Sequence, residues 1–316
     1  MEFGRYSIKV CYQGENSLQD LHQTVSVIIV NYNSGGLLCG CVASALPQAS
    51  EIIIIDNAST DSSINDVVST WPNIRVINNS QNLGFAAACN IGVKAATGKY
   101  FLFLNPDCVL ATDTVQRMLE AADSVDSVGM VGGLLVDPDG MEQGGSRRAI
   151  PTPWRSLVRV TGLSRFAGSC PHLFYDFYLH KEPLPSVPIE VEAISGACML
   201  VPRGAMEKIG QWDEIYFLHC EDLDLCMRFR LMGLKILFAP DARIVHEKGG
   251  CSKNRPIFVE WHKHKGMMLF YRKFFRDQYP SVLMWLVGFG VWLRFGLIVA
   301  YYTAKRVGLA LEVRRG

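Results

Sequence analysis

The sequence predicts an α/β fold: a doubly wound, mostly parallel sheet followed by a helical C-terminal extension. Three observations predict it. Apolar, β-branched runs alternate with helix-length segments through residues 25–124. Three of those runs end in clusters of Asn, Asp and Ser. The last sixty or so residues change to a basic, aromatic stretch and then a long apolar run.

The elements follow in order. Val25 to Val30 is continuously apolar, as a strand buried on both faces must be. Residues 51–55 (EIIII), Ile74–Ile77 and Tyr100–Leu104 read the same way. Helix segments fall at 36–46, 62–70, 84–96 and 112–124, with Asp61 and Asp113 as cap-region acids. Ligands of such sheets sit beyond the carboxyl ends of the strands. The first strand ends in Asn31-Tyr32-Asn33, the second in Asp56-Asn57-Ala58-Ser59-Thr60-Asp61, the fourth in Asn105-Pro106-Asp107. Each alone reads as a capped loop; together they read as a site. From 137 to 190 seven prolines, Gly144-Gly145 and Arg147-Arg148 predict long loops suited to acceptor recognition or a lid. Structure resumes at Ile189–Ile194 and Cys198–Val201. A helix is predicted over 221–232, with Leu225, Phe229 and Met232 as its apolar stripe and Gly233 as its stop. Asp224 and Arg228 are spaced to pair on its solvent side. Glu221 and Asp222 occupy its first turn, where exposed N–H groups favour a carboxylate. Short strands are predicted at Lys235–Phe238 and Ile244–His246.

Composition bounds the function. The chain has 316 residues, 49% hydrophobic and 19% charged, enough for a sizeable core. Thirty-one basic against 30 acidic residues give a net charge of +1, which excludes the global field of a nucleic-acid-binding protein. Cys89, Cys198 and Cys226 lie in apolar stretches and no CxxC pair occurs, so a reduced, cytoplasmic chain is expected. Residues 1–24 hold no apolar run of the signal-peptide kind. The division expected is an extension at 1–24, a catalytic unit at 25–250 and a membrane-associating region at 251–316. In that last region, basic and aromatic residues interleave over 260–277. Val282 to Thr303 is apolar except for Arg294, and long enough to cross a bilayer. An arginine there costs about 2.5–3.5 kcal/mol on insertion, which favours an in-plane or re-entrant helical pair over one span. The alternative is packing against the catalytic unit or a second subunit. Basic residues on both flanks leave orientation, like oligomeric state, undetermined.

Val25-Ser26-Val27-Ile28-Ile29-Val30-Asn31-Tyr32-Asn33 resembles the first strand of family 2 glycosyltransferases, which have the GT-A, Rossmann-like nucleotide-sugar-binding fold. Asp56–Asp61, Asn82–Gly92, Ser195-Gly196-Ala197, Gly210–Glu214 and Glu221–Leu225 resemble that family's later motifs, in order. Asn105-Pro106-Asp107 stands where most members carry Asp-x-Asp, and looks most like the rhamnosyltransferase-like branch.

The resemblance implies an inverting, membrane-associated transferase on a cytoplasmic membrane face, moving a sugar from a dTDP- or UDP-sugar to a lipid-linked glycan. Asp107 would hold Mg²⁺ or Mn²⁺ against the donor diphosphate, with His246 as a further ligand. Asn105 removes one charge from that motif and either weakens the metal or contacts the ribose or sugar. Asp56 would accept from the base, with Val30, Tyr32 and Asn82 completing the nucleotide site. Asp222 would be the general base and Glu221 its rival. Trp212 stacks on the acceptor or fills core, and Asp213 lines the site. Two other readings stand beside this one. A sugar nucleotidyltransferase would need a basic, Gly-rich loop after the first strand, where Asn33-Ser34-Gly35-Gly36 carries no cation. A non-catalytic sugar-binding module would not need both Asp107 and Asp222.

Overall fold

The computed structural model describes residues 25–168, 170–247, 249 and 255–313. The 1–24 extension lies outside them. Strands β1 (Val25–Asn31), β2 (Glu51–Asp56), β3 (Arg75–Asn78) and β4 (Tyr100–Leu104) lie parallel in the order β3-β2-β1-β4. Helices α1 (Leu37–Ala45), α2 (Ser63–Thr70) and α3 (Phe85–Ala95) connect them. Ile28, Val30, Ile53, Ile55, Phe101 and Phe103 enter one core layer. Val27, Ile29, Ile52, Ile54, Leu102 and Leu104 enter the other. Successive side chains point to opposite faces, so strands covered on both faces must be apolar throughout.

The sheet continues through β5 (Cys108–Leu110), helix α4 (Thr114–Asp123) and β6 (Val128–Val136). The segment after β6 mixes exposed, irregular loops with short ordered elements. It contains β7 (Arg147–Arg148), α5 (Pro153–Val160) and the single turn α6 (Pro171–Phe174), then β8 (Ile189–Glu190) and β9 (Ala193–Ile194). β7 pairs antiparallel with β9, and Thr152 caps α5 by accepting from the Arg155 N–H. Then come β10 (Cys198–Pro202), α7 (Arg203–Ile209), α8 (Glu221–Leu231) and β11 (Lys235–His246).

The nine-stranded sheet is mixed, with four parallel and four antiparallel pairings. β10 returns from the folded insertion without a crossover helix and enters antiparallel between β4 and β6. The two short strands expected at 235–246 are one. Its register against β6 breaks between Ala239 and Arg243, where Pro240 has no N–H to give. Helix α8 corrects two expectations. Asp224 is fully buried and Met232 is exposed. Asp224 bonds Arg228 and also Lys273 of the next helix, which docks on the face expected to meet water.

That next helix is α9 (Pro256–Phe274), and α10 (Ser281–Val313) runs back along it. Trp261 meets Trp292 and Phe295, and His264 meets Phe295. The expected break at Arg294 is absent: α10 is one unbroken helix. Arginine is a good helix former, and Arg294 donates to His264 Nε2 at 3.3 Å. One face of α10, with Leu283, Met284, Val287 and Val291, packs on the catalytic core. Val282, Trp285, Leu286, Phe289, Leu293 and Leu297 on the other side are 50–71% exposed. Among the described residues all eight cysteines are free.

Candidate functional site

The ends of β1 and β2 are knit by side chains. Asn31 Nδ2 donates to Asp56 Oδ1 at 2.9 Å and to the hydroxyls of Ser59 and Ser63. Asp56 also accepts from the Ser59 hydroxyl on Oδ1 and the Ser59 N–H on Oδ2. Asn33 and Ala58 turn the two loops in the left-handed region, at φ 52° and 61°. Asp61 accepts from the Gly35 N–H and from Ser63, joining the loops again. Asn82 Oδ1 accepts from the Gly84 N–H and so sets the entry to α3. Gly84 sits at φ +87°, and a Cβ there would lie 2.6 Å from the Phe217 carbonyl oxygen, to which the Phe85 N–H donates. Tyr32 at the β1 rim receives a long 3.5 Å contact from Arg255. Asp113 stands at the start of α4 but makes no cap bond; it pairs with Arg117.

The turn after β4 delivers Asp107, which is 9% exposed. β11 ends on His246, and the two strand ends meet because β5 and β11 pair His246 with Cys108. His246 Nε2 lies 3.4 Å from Asp107 Oδ1. That oxygen is buried and, among the described residues, receives no hydrogen bond. Single ligand atoms of Asp107, Cys108 and His246 all lie within 4.8 Å of one another. A carboxylate oxygen and an imidazole nitrogen converging on a buried spot with no donor between them fit a divalent cation.

Helix α8 brings the second acidic group. His219 and Cys220, immediately before it, both adopt left-handed backbone (φ 67° and 71°), a strained turn that aims the first acids of α8 at the 195–197 loop. Asp222 Oδ2 accepts from Arg148, with which it forms an ion pair, and from the Gly196 N–H at 3.2 Å. A Cβ on Gly196 would stand 3.1 Å from that of Asp222, which explains a glycine in Ser195-Gly196-Ala197. The next residue links the two acidic centres, since the Ala197 carbonyl accepts from the Asn105 N–H at 2.9 Å and from the Cys108 thiol. Asp222 and Asp107 are thus held by adjoining loops. Gly266 of α9 completes this side. A Cβ there would fall 2.6 Å from the His219 carbonyl oxygen, so only glycine lets α9 close over the strained turn. Burial, helped by the Lys263 charge, pushes His219 down to about 4, leaving a neutral imidazole.

Glu221 differs sharply from its neighbour. Burial first, then the charge of Asp222, push it up to about 8, which favours its protonated form at neutral pH. The folded chain holds that proton more tightly than the unfolded chain, whose glutamate titrates near 4.5. Its contribution to stability is therefore complete below 4.5 and is lost as pH rises towards about 8. Glu221→Gln is expected to raise the melting temperature above that of the wild type in alkaline buffer. Below 4.5 the two should melt together. A wild-type advantage that grows with pH would contradict this.

Trp212 is core. It is 2% exposed, its ring meets Phe103 and Phe85 edge-on, and its backbone is bonded both ways by Asn90. The expectation that it lines the acceptor site is corrected. It had no signal to separate it from a site aromatic beside Asp213-Glu214. Asp213 takes the Lys273 ammonium at 2.6 Å and helps tether α9. Burial raises its proton affinity, but the bonds from Lys273 and the Ile215 N–H prevail and hold it below the usual range.

A family model described as glycosyl transferase family 2 matches residues 26–210, more than half of the chain. The chain belongs to this family. Over 287 residues it is 28% identical to the N-acetylglucosaminyl-diphospho-decaprenol L-rhamnosyltransferase of Mycobacterium tuberculosis, covering 86% of this chain and 92% of that one. The low-salt glycan biosynthesis hexosyltransferase Agl10 of Haloferax volcanii is 24% identical over 72% of this chain and 66% of its own. Among solved structures, the mannosyltransferase PcManGT of Pyrobaculum calidifontis, in complex with GDP-Man and Mn²⁺, superposes with a TM-score of 0.54 at 17% identity, covering 91% of this chain and 80% of that one. GalNAc-T7 with UDP, GalNAc and Mn²⁺ gives 0.53 at 20% identity over 71% and 43%. These likenesses establish the GT-A fold, and the residues matched by the family model include the ends of β1, β2 and β4.

Proposed function

We propose that this family 2 glycosyltransferase transfers a sugar, rhamnose in the favoured reading, with inversion. The donor is a dTDP- or UDP-sugar and the acceptor a hydroxyl of a lipid-linked glycan at the cytoplasmic face of a membrane. The observation that carries this is the pair of adjoining centres: the Asp107–His246 pocket and the ion-paired Asp222 carboxylate. The likeness to a rhamnosyltransferase whose name specifies a lipid diphosphate acceptor supports the choice of substrates.

Asp107 and His246 would hold Mg²⁺ or Mn²⁺, which supplies neutralising charge to a departing diphosphate. Val30, Tyr32, Asp56, Asn82 and Asn105 line the nucleotide side. Asp56 uses three of the roughly four acceptor positions of a carboxylate on Asn31 and Ser59. The fourth, on Oδ2, suits the N3–H of uracil or thymine. Arg148 and the Gly196 N–H fix Asp222 in its ionised, oriented form. The acceptor oxygen bonds to the anomeric carbon from the face opposite the diphosphate, the bond to the diphosphate breaks, and the hydroxyl proton passes to Asp222. Burial raises the proton affinity of Glu221 and so disfavours it for this step.

The exposed apolar face of α10 beside basic α9 supports a peripheral seat on the membrane. One face of α10 near Ser281 is packed against protein and the opposite face is exposed, which suits a helix lying along the interface with its Trp and Tyr residues at headgroup level. Leu286→Glu with Leu293→Glu is expected to release the protein from anionic vesicles in a flotation assay without lowering its melting temperature. Flotation equal to the wild type would contradict the seat.

The substrate reading is tested by incubating purified enzyme and Mn²⁺ with a panel of dTDP-, UDP- and GDP-sugars and a polyprenyl-diphospho-N-acetylglucosamine acceptor. Mass spectrometry of the lipid is expected to show a gain of one deoxyhexose from dTDP-rhamnose. A gain only from another donor would overturn the sugar, and no gain on any lipid-linked acceptor would overturn the acceptor class.

A further inference from the structure

One side chain behind the metal pocket is bonded in a way that decides the chemistry of His246. Gln143 is 8% exposed, in the segment that joins β6 to β7. Its backbone is fixed at both ends: its N–H donates to the Leu135 carbonyl at 2.9 Å, and its carbonyl accepts from the Ser146 N–H at 3.0 Å. Its Nε2 donates to the backbone carbonyl of His246 at 2.7 Å. Its Oε1 therefore faces the imidazole, 2.8 Å from His246 Nδ1. The reverse orientation of the amide would set its oxygen against a carbonyl oxygen, two acceptors in contact, and is excluded by that bond.

An amide oxygen only accepts, so the neutral imidazole carries its hydrogen on Nδ1 and its lone pair on Nε2. Nε2 lies 3.4 Å from Asp107 Oδ1, an oxygen that has no donor among the described residues. Two acceptor atoms this close in a buried place repel unless a cation stands with them. With the other tautomer, an N–H on Nε2 would stand 3.4 Å from Asp107 Oδ1, too long for a good hydrogen bond, and would bar Nε2 from a cation.

We propose that Gln143 is a positioning residue: it fixes His246 as the Nδ1–H tautomer and so keeps Nε2 open towards a divalent cation. This rests on the reading of Asp107 and His246 as the metal pocket. The same short segment carries Arg148, which holds Asp222. One folded segment, 142–148, thus supports both the metal ligand and the base. Partners of this kind behind a metal-bound histidine are worth about 10–100-fold in metal affinity.

The test uses the full-length protein in detergent with two substitutions, Gln143→Leu and Gln143→Glu, and Asp107→Asn beside them. Imidazole ¹⁵N shifts read the tautomer directly, without metal or substrate. The wild type is expected to show His246 with a protonated Nδ1 and a pyridine-type Nε2, and Gln143→Leu a mixture. Mn²⁺ alone, titrated with paramagnetic resonance of the free ion as readout, is expected to bind Gln143→Leu about 10–100-fold more weakly. Gln143→Glu still accepts from Nδ1–H and is expected to keep the Nδ1–H tautomer in the ¹⁵N spectrum, although its second oxygen opposes the His246 carbonyl and lowers stability. Wild-type Nε2–H overturns the inference. So does Gln143→Leu binding Mn²⁺ like the wild type while Asp107→Asn has lost it. If Asp107→Asn also binds like the wild type, the metal pocket itself is refuted and the role of Gln143 falls with it.

Discussion

Asp222→Asn is expected to lower turnover by about 10²–10⁴-fold, the usual worth of general-base catalysis, with donor affinity little changed. A sugar hydroxyl has a pKa far above neutrality, so its proton must leave as the oxygen attacks. Asp222 is the acid of the Glu-Asp pair that Arg148 and the Gly196 N–H hold in place to receive it, while burial raises the proton affinity of Glu221. The amide retains the shape and can still accept from Arg148 and the Gly196 N–H, so the loss is one of basicity. The measurement is single-turnover rate against donor dissociation constant. A rate near that of the wild type would remove Asp222 from the base role and return attention to Glu221.

Asp107→Asn is expected to cost a comparable factor by a different route. Charge neutralisation at a leaving diphosphate is worth several kcal/mol, and each 1.36 kcal/mol is a factor of ten, so a loss of about 10²–10⁴-fold follows. With Asn105 in place of a first acid, Asp107 is the one carboxylate in the Asp107–Cys108–His246 group found among the described residues, and its replacement removes that charge. The two variants separate in a metal titration. Excess Mn²⁺ should recover part of the Asp107→Asn activity and none of the Asp222→Asn activity. Full Asp107→Asn activity in the presence of EDTA would contradict a metal at this place.

The parallel half of the sheet was legible because strands β1, β2 and β4 feed two core layers, and that demand makes each run apolar at every position. β6 escaped notice although it is central. Its sequence, VGMVGGLLV, is diluted by glycines that packing requires: a Cβ on Gly132 would overlap Ile194, and one on Gly133 would lie 2.4 Å from the Ala242 carbonyl oxygen. The antiparallel entry of β10 was hidden because strand direction depends on what the insertion does, and a single sequence carries no periodicity for that. In the site, acids at strand ends and at a helix start could be read one by one. Their partners could not. Arg148 and Gly196 stand out in the sequence as residues but not as partners of Asp222, and Gln143 does not stand out at all, because they act through contacts 26 to 103 residues distant in sequence. Trp212 and Asp224 misled for the same reason: whether an aromatic or a helix acid meets solvent is decided by α9 and by β4, elements distant in the chain.

The central claim is an inverting sugar transfer, and proton NMR of one complete reaction tests it most directly. Enzyme, Mn²⁺, dTDP-rhamnose and a short-chain polyprenyl-diphospho-N-acetylglucosamine are followed until the donor is consumed. The account predicts dTDP and a new glycoside in equal amounts, with the anomeric configuration opposite to that of the donor. A glycoside of retained configuration would contradict the single displacement at Asp222. Release of dTDP with no glycoside, or formation of pyrophosphate, would contradict transfer itself.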